Sequence, residues 1–288
     1  MPNNTLELVV IVKGRLVNLC KTLDSIQKQR VCSSSFSILV VNGKPSDSKV
    51  IASIIATSYK SLNIALVDQQ SSGIFPAMNE GVLHSSSKWL QFVNSGDESL
   101  GLESLLALLS SLNENQVDGV IGTSIVRCCN GSFISVNPLF LPLSQAKFLL
   151  LRKIFPPIFS ICHQSVVFSR PFHLRNLYQD LCISSDAVVI NALLHGRWVS
   201  LRCHLSCFYT DGVSSLAPRT FYAFRKLASS LISVGLYRRL INLTIKYVLF
   251  GRFSPQVLDF YRRIRFLVFA LMFGKFSAFR YAYRSSSK

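Results

Sequence analysis

The sequence lacks an apolar run long enough to cross a membrane. A transmembrane helix needs about 20 consecutive apolar residues, whereas the longest candidate, residues 266–274, is enclosed by Arg265 and Lys275. Residues 1–13 have no basic region ahead of their apolar run, which predicts a first strand instead of a signal peptide. We therefore expect the chain to stay in the cytoplasm, at least on that face of a membrane.

Paired cysteines are also lacking. The eight cysteines are scattered without a CxxC pair, and most lie among apolar residues. One group has metal-like spacing, Cys203, His204 and Cys207, but it has no second half. The pattern favours free buried thiols over a disulfide framework or a zinc site.

Acidic residues are scarce, most of all near the carboxyl terminus. The chain has 31 lysines and arginines against 14 acids. Residues 219–288 contain 14 of these basic residues and one acid, Asp259, whereas the first 218 residues have a net charge of +4. The charge pattern therefore separates a nearly balanced domain from a basic extension.

The first 67 residues alternate between strand and helix patterns. Three short apolar runs are typical of buried parallel strands: residues 6–13, 36–41 and 62–67. Two segments between them have helical spacing, residues 16–29 and 48–59, and Ser46 or Asp47 could cap the second. This order predicts a parallel sheet with right-handed crossovers, as in a Rossmann-like half.

The stretch 71–99 begins with a glycine turn and ends in an acidic one. Residues 74–84 can be helical, and residues 89–93 form a buried strand that stops at residues 94–98, NSGDE. Ligands bind at the carboxyl edge of open α/β sheets. Asp97 at that edge is suited to a hard cation such as Mg2+ or Mn2+.

Three further elements precede residue 139: a helix at 102–112 and strands at 117–121 and 124–128. Residues 139–161 are apolar with interspersed basic residues. Two interpretations of them stay open, an acceptor-side loop or a surface that rests on lipid.

The residues GIFPAMNEG and FVNSGD resemble motifs of the family-2 glycosyltransferases. The similarity is greatest to bacterial enzymes of colanic-acid or capsular polysaccharide biosynthesis. It covers about residues 5–215 and implies a GT-A fold, an α/β architecture whose central mixed, mostly parallel sheet is flanked by helices. The implied reaction is inverting transfer of a sugar from a UDP- or GDP-linked donor to a saccharide hydroxyl.

The resemblance also implies donor-side residues. Asp97 would belong to the family's DxD element, which holds Mg2+ or Mn2+ and the donor diphosphate. Asn42 stands where the family has an Asp that contacts the nucleotide base, although Asn42-Gly43 could also be a simple turn pair. Further candidates on the donor side are Gly43, Asp47, Gly73, Asn79 and Asn94.

Two later matches imply acceptor-side residues. Residues 162–168 resemble the family's C-H-Q-A-x-F strand, which places His163 and Gln164 near the acceptor. The segment 183–187 opens a helix and resembles the A-D-Y-D-x-x-L element, so Asp186 is the candidate general base, with Asp180 as the runner-up. From the residues alone, His163 could equally be a structural core histidine and Asp186 a helix-dipole charge.

Residues 208–214 resemble the segment that closes the family's catalytic domain, so we expect a domain over 1–215 and an extension over 216–288. The extension alternates aromatic residues and leucines with arginines, which is typical of basic amphipathic helices on an anionic membrane surface. One helix could instead pack on the catalytic domain. The expected partners are a nucleotide-sugar, a lipid-linked saccharide and the inner membrane face, with no nucleic acid.

Two alternatives to an active transferase stay open. Ser71 and Pro76 replace two aspartates of the family motif, which would suit a non-catalytic scaffold in a polysaccharide assembly complex. The basic extension could also belong to a nucleic-acid-binding protein.

Overall fold

The structure, a computed structural model, describes residues 4–29, 31–128, 130–138, 148, 161–179 and 185–209. Its strands are β1 (Leu6–Val12), β2 (Phe36–Asn42), β3 (Ile64–Asp68), β4 (Trp89–Asn94), β5 (Glu98–Ser99), β6 (Gly119–Arg127), β7 (Phe133–Asn137), β8 (Val166–Ser169) and β9 (Trp198–Tyr209). Its α-helices are α1 (Leu16–Gln27), α2 (Ser48–Ser58), α3 (Ile74–His84), α4 (Leu102–Leu109), α5 (Arg170–Arg175) and α6 (Ser185–His195). Short 3-10 helices form at Pro45–Asp47 and His163–Ser165.

The strands form one sheet with a parallel half and a mixed half. β3, β2, β1 and β4 are neighbours in that order and run parallel. β8 pairs antiparallel with both β4 and β6, and β6 runs parallel to β9. The order is β3-β2-β1-β4-β8-β6-β9-β5, with β7 on β6. The predicted mixed α/β sheet is confirmed, although parallel pairs dominate only its first half.

The side chains of β1 alternate between two apolar clusters. Val9 and Ile11 belong to the cluster formed with α3 and α6. Leu8, Val10 and Val12 belong to the cluster formed with α1, α2 and α4. Because successive side chains of a strand point to opposite faces, helices cover both faces of β1, and all seven of its residues are buried.

Two strand predictions need correction. The strands expected at residues 117–121 and 124–128 are one strand, β6, because its first part pairs with β8 and its last part with β7. The strand expected at 162–168 begins only at Val166, after the 3-10 helix. His163 and Gln164 are therefore turn residues, which frees their side chains from the alternation of a strand.

The predicted cap of α2 is also wrong. Neither Ser46 nor Asp47 forms a side-chain cap, since the 3-10 helix at Pro45–Asp47 runs directly into α2. The side chain of Asp47 instead pairs with the Lys44 ammonium at 2.9 Å. The helix expected over 102–112 ends at Leu109.

Several predictions lie outside the described residues. They are the acceptor-side loop or lipid-facing surface over 139–161, the second candidate base Asp180, the end of the domain near 215 and the extension 216–288. In the part of the chain that the structure describes, no helix is long and apolar enough to cross a membrane. The six cysteines located there are free, as predicted, but only Cys207 is buried; Cys32 is exposed and the other four are partly buried.

Candidate functional site

Asp97 lies in the turn that ends β4, at the carboxyl edge of the sheet. Gly96 adopts φ +103°, a conformation that side chains rarely adopt, and so allows the sharp turn after Asn94. The hydroxyl of Thr22 in α1 donates to the Asp97 carbonyl at 2.7 Å and accepts from the Gly96 amide at 3.0 Å. α1 therefore fixes the turn, and Asp97 is only 8% exposed.

The Asp97 carboxylate joins three distant segments of the chain. The Gln164 side chain donates to Oδ2 at 3.0 Å, and the Tyr209 backbone amide donates to Oδ1 at 3.2 Å. The Cys162 thiol in turn donates to Oε1 of Gln164 at 2.6 Å. The predicted metal residue and one predicted acceptor-side residue are thus in direct contact.

The atoms around Asp97 fit a hard cation. Oδ1 of Asn94 and Oγ of Ser95 are buried without a hydrogen-bond partner in the described chain. Oxygen ligands of this kind suit Mg2+ or Mn2+, and Mg2+ is commonly held by one or two carboxylates together with substrate phosphates. The described residues contain no group of three or more His, Cys, Asp or Glu that could hold a metal alone. The oxygens of Asn94, Ser95 and Asp97 are thus of the kind that a hard cation binds, and the cation itself stays a prediction.

Asn42, the last residue of β2, is buried, and both ends of its side-chain amide form hydrogen bonds. Its Oδ1 accepts from the Lys44 amide at 3.0 Å. Its Nδ2 lies 2.9 Å from the Lys44 carbonyl, 3.0 Å from the Ser48 hydroxyl and 2.9 Å from Oδ1 of Asp68. Asn42 is 0% exposed, and its bonds to the Lys44 backbone stabilise the turn after β2.

Asp68 is a carboxylate at this edge that the sequence analysis did not single out. It is the last residue of β3 and pairs in register with Asn42. Its Oδ1 accepts hydrogen bonds from the Asn42 amide and the Ser48 hydroxyl, and the residue is partly exposed. The sequence does contain a signal for Asp68, because an acidic residue follows the apolar run of the third predicted strand. The structure thus places a negative charge directly beside the position where the family Asp is missing.

Gly43 and Gly73 both lie beside the side chain of Gln69. The Gly43 amide donates to the Val12 carbonyl at 2.7 Å, and a Cβ at Gly43 would lie 3.3 Å from that oxygen. Gly73 has φ +120° and precedes α3. The side chain of Gln69 donates to the Gly73 carbonyl at 2.6 Å, which ties the loop after β3 to the start of α3.

Asn79 contacts the backbone of Tyr178 and not the donor-side turns. Its Nδ2 donates to the Tyr178 carbonyl at 2.8 Å, and its Oδ1 accepts from the Tyr178 amide at 2.8 Å. Both ends of the amide are used, so Asn79 fixes the segment after α5 against α3. Its donor-side role stays a prediction.

His163 belongs to a buried polar cluster with Tyr178 and His173. Nε2 of His163 and Nε2 of His173 both hydrogen-bond to the Tyr178 hydroxyl, the second at 3.0 Å. Phe92 packs against all three rings, with ring centroids 5.2–5.6 Å away. Burial lowers the pKa of His163 to about 3 and that of His173 to about 4, so both imidazoles are neutral at physiological pH.

Asp186 lies in the first turn of α6, where its Oδ1 accepts from the Ala187 amide at 2.9 Å. Burial raises the pKa of the Tyr178 hydroxyl, and the charge of Asp186 raises it further. Burial also raises the pKa of the Cys162 thiol, with added contributions from the charges of Asp97 and Asp186. The role of Asp186 as general base stays a prediction.

The comparison with family models identifies the class of protein. The model described as glycosyl transferase family 2 matches residues 7–175, which is more than half of the chain. The chain therefore belongs to this family, as the resemblance indicated. The match runs from β1 to α5 and ends before Asp186.

Individual relatives agree with this class. Glycosyltransferase AglE from Haloferax volcanii is 32% identical over 115 residues, which span 40% of this chain and 37% of the length of AglE. Mannosyltransferase PcManGT from Pyrobaculum calidifontis, solved with GDP-Man and Mn2+, has a TM-score of 0.56 at 12% identity and is covered over 75% of its length by 93% of this chain. S. aureus TarS 1–349, solved with UDP-GlcNAc, has a TM-score of 0.57 at 14% identity, with 86% of this chain on 74% of that one. These similarities confirm the GT-A fold.

Proposed function

We propose that the protein transfers a sugar, with inversion, from a nucleotide-sugar to a hydroxyl of a saccharide. The main support is the contact of Asp97 with Gln164, because it brings the donor-side turn and the acceptor-side segment together at one carboxylate. A transferase needs such a junction, since its two substrates must meet at the anomeric carbon.

On the donor side, Asp97, Asn94 and Ser95 would hold Mg2+ or Mn2+ together with the donor diphosphate. The cation would supply positive charge to the leaving nucleoside diphosphate. The 3.0 Å bond from Gln164 would keep Asp97 oriented for this task. UDP- and GDP-linked donors both remain candidates, in line with the ligands of the structural neighbours.

Asp68 would supply the negative charge that Asn42 lacks at the base end of the donor site. Asn42 is enclosed, whereas Asp68 is partly exposed at the same sheet edge. A carboxylate accepts hydrogen bonds from the ring N–H of uracil or guanine. Gly43 would leave room beside it, and Asp47 and Gly73 would border the same site.

On the acceptor side, Asp186 would act as the general base. The acceptor hydroxyl has a pKa far above neutrality, so Asp186 would take its proton as the oxygen attacks the anomeric carbon. The new glycosidic bond forms as the bond from that carbon to the diphosphate breaks. Attack from the side opposite the leaving group gives inversion, and His163 and Gln164 would lie beside the acceptor.

The acceptor that we propose is a growing, lipid-linked saccharide of an extracellular or capsular polysaccharide. Residues 1–215 would form the catalytic domain, and the 14 basic residues of 219–288 would attract the chain to the anionic inner face of the membrane. This arrangement would bring the active site to an acceptor embedded in lipid.

Hydrolysis of UDP- and GDP-sugars in the presence of Mn2+ tests the proposal and needs no known acceptor. We expect one nucleotide-sugar to be hydrolysed by the wild type, with activity lost in Asp97→Asn. Asp186→Asn should still bind the nucleotide but hydrolyse the donor far more slowly, because water then lacks the general base. Nucleotide binding without any turnover of any donor would favour the scaffold, and duplex binding that falls steeply with salt would favour a nucleic-acid-binding protein.

A further inference from the structure

Gln91 is a fully buried amide in the inner strand β4. It is 0% exposed and pairs in register with Leu8 of β1 and with Val167 of β8. Trp89 and Val93 lie on the same face of the strand as Gln91, and both belong to the apolar cluster formed with α1, α2 and α4. Burying an amide among apolar side chains costs free energy unless the amide forms hydrogen bonds. The partners of Gln91 therefore indicate what this amide does.

The side-chain amide of Gln91 joins β4 to two segments that are distant in sequence. Its Nε2 donates to the Gln164 carbonyl at 2.9 Å and to the Leu205 carbonyl of β9 at 3.3 Å. Both partners are carbonyl oxygens, which only accept, so the NH2 end of the side chain must face them. Its Oε1 is buried without a hydrogen-bond partner among the described residues. An apolar residue at this position would avoid the cost of that unpaired oxygen.

The two segments that Gln91 joins also supply two hydrogen bonds to the Asp97 carboxylate. The side chain of Gln164 donates to Oδ2 at 3.0 Å. Tyr209, which lies further along β9 than Leu205, donates its backbone amide to Oδ1 at 3.2 Å. Gln91 thus holds the backbone of the same residue whose side chain holds Asp97.

Of the two segments, the turn that carries Gln164 depends more on Gln91. The Leu205 carbonyl also accepts from the Leu100 amide at 3.0 Å, so β9 has a second hydrogen bond at that atom. Gln164 lies in the 3-10 helix before β8 and takes part in none of the described strand pairs of β8. The bond from Gln91 therefore fixes the backbone at a point that the pairing of β8 does not include.

We propose that Gln91 is a positioning residue for Asp97, which acts by holding the backbone of Gln164 so that the Gln164 side chain meets the carboxylate. β4 determines both ends of this arrangement, because Gln91 lies within the strand and Asp97 lies in the turn that follows it. The amide and the carboxylate that it serves are therefore fixed by one rigid element. The consequence for a cation and a donor bound at Asp97 rests on the proposed function, whereas the positioning itself does not.

NMR of the full-length protein with 15N-labelled glutamine tests the positioning without donor or metal. Gln164→Leu removes one pair of side-chain amide resonances and so assigns those of Gln164, and Asp97→Asn shows where they lie when the carboxylate charge is lost. Gln91→Met keeps the length of the side chain but has no N–H. In this variant we expect the Gln164 resonances to move towards their positions in Asp97→Asn.

A matched control and a second variant keep this measurement decisive. Leu90→Met changes the neighbouring buried residue of β4, on the opposite face of the strand, and should leave the Gln164 resonances in place. If the melting temperature shows that Gln91→Met is not folded, Gln91→Asn replaces it, because its amide is one methylene shorter and falls short of the Gln164 carbonyl. Gln164 resonances that stay unchanged in the folded variant, or that move elsewhere than in Asp97→Asn, would overturn the proposal.

Donor hydrolysis then tests the consequence for the site. Gln91→Met should lower kcat/KM about 10-fold, the loss of one hydrogen bond, whereas Leu90→Met should keep the rate of the wild type. The double variant with Gln164→Leu should lose no more than Gln164→Leu alone, because both substitutions act on one contact. Additive losses would show that Gln91 acts by another route and would contradict the proposal. If the wild type hydrolyses no donor while the spectra change as expected, the proposed function fails and the positioning of Asp97 stands.

Discussion

The side chain of Gln164 donates a 3.0 Å hydrogen bond to Oδ2 of Asp97, across 67 residues of sequence. Both residues are buried at the carboxyl edge of the sheet, Gln164 in a 3-10 turn and Asp97 in the turn after β4. A carboxylate held on one side by an amide and on the other by the Tyr209 backbone is fixed in orientation. We attribute the orientation of the Asp97 carboxylate to these two contacts.

Replacing Gln164 should therefore reduce activity without unfolding the domain. Hydrogen bonds to charged groups contribute about 1.5–3 kcal/mol, so Gln164→Leu should lower kcat/KM for donor hydrolysis about 10- to 100-fold. Gln116→Leu, at an exposed position of the same domain, is the matched control and should leave the rate unchanged. Equal rates for Gln164→Leu and the control would show that Asp97 needs no orientation by Gln164.

Asp68 should determine affinity for the base of the nucleotide. Asp68→Asn removes the negative charge beside Asn42, and we expect nucleoside diphosphate to bind about 10-fold more weakly, the loss of one charge-assisted hydrogen bond. Binding of Mn2+ and pyrophosphate, which lacks a base, should not change. Glu103→Gln on the exposed surface of α4 is the control for the loss of one carboxylate. A parallel loss of pyrophosphate binding would mean that Asp68 acts on the fold and not on the base.

The two buried histidines predict a pH dependence of stability. Burial lowers the pKa of His163 to about 3 and that of His173 to about 4, from an ordinary value of 6.5. Below pH 6.5 these two imidazoles bind protons in the unfolded chain but not in the folded chain. The free energy of unfolding must therefore fall as the pH falls towards 4. For two such groups the loss is about 3 kcal/mol between pH 6.5 and 5.

Urea unfolding at a series of pH values measures this loss. The exposed His84 provides the control, because His84→Asn should keep the same dependence on pH. A free energy of unfolding that stays level between pH 6.5 and 5 would show that the histidines of the folded protein titrate as in the unfolded chain.

The parallel half of the sheet could be predicted from the sequence because each of its elements has a local signal. β1, β2 and β4 are mostly apolar runs, and the turn after each has glycine or a small polar residue. β9 had no such signal: its twelve residues include Arg202, His204 and three residues with hydroxyl groups, and most are only partly buried. β5 is two residues long and exists only because β9 pairs with it.

Some residues of the candidate site could likewise be predicted from the local sequence, whereas others depend on contacts between distant parts of the chain. Asp97 follows an apolar strand in a glycine turn, so its place at the sheet edge was predictable. The role of Tyr178 was not, since its backbone is held by Asn79 from 99 residues away and no local pattern marks that contact. Asp68 could have been found from its position at a strand end, but its proximity to Asn42 depends on the register of β2 and β3.

Calorimetric binding of UDP and GDP, with and without Mn2+, tests the central claim most directly. The claim is that Asp97 holds the donor diphosphate through a divalent cation. We expect one nucleotide to bind the wild type only when Mn2+ is present, and Asp97→Ala to lose this binding by at least about 100-fold, in line with the several kcal/mol that a metal contributes to such charge. Equal binding with and without Mn2+, or undiminished binding by Asp97→Ala, would contradict the account.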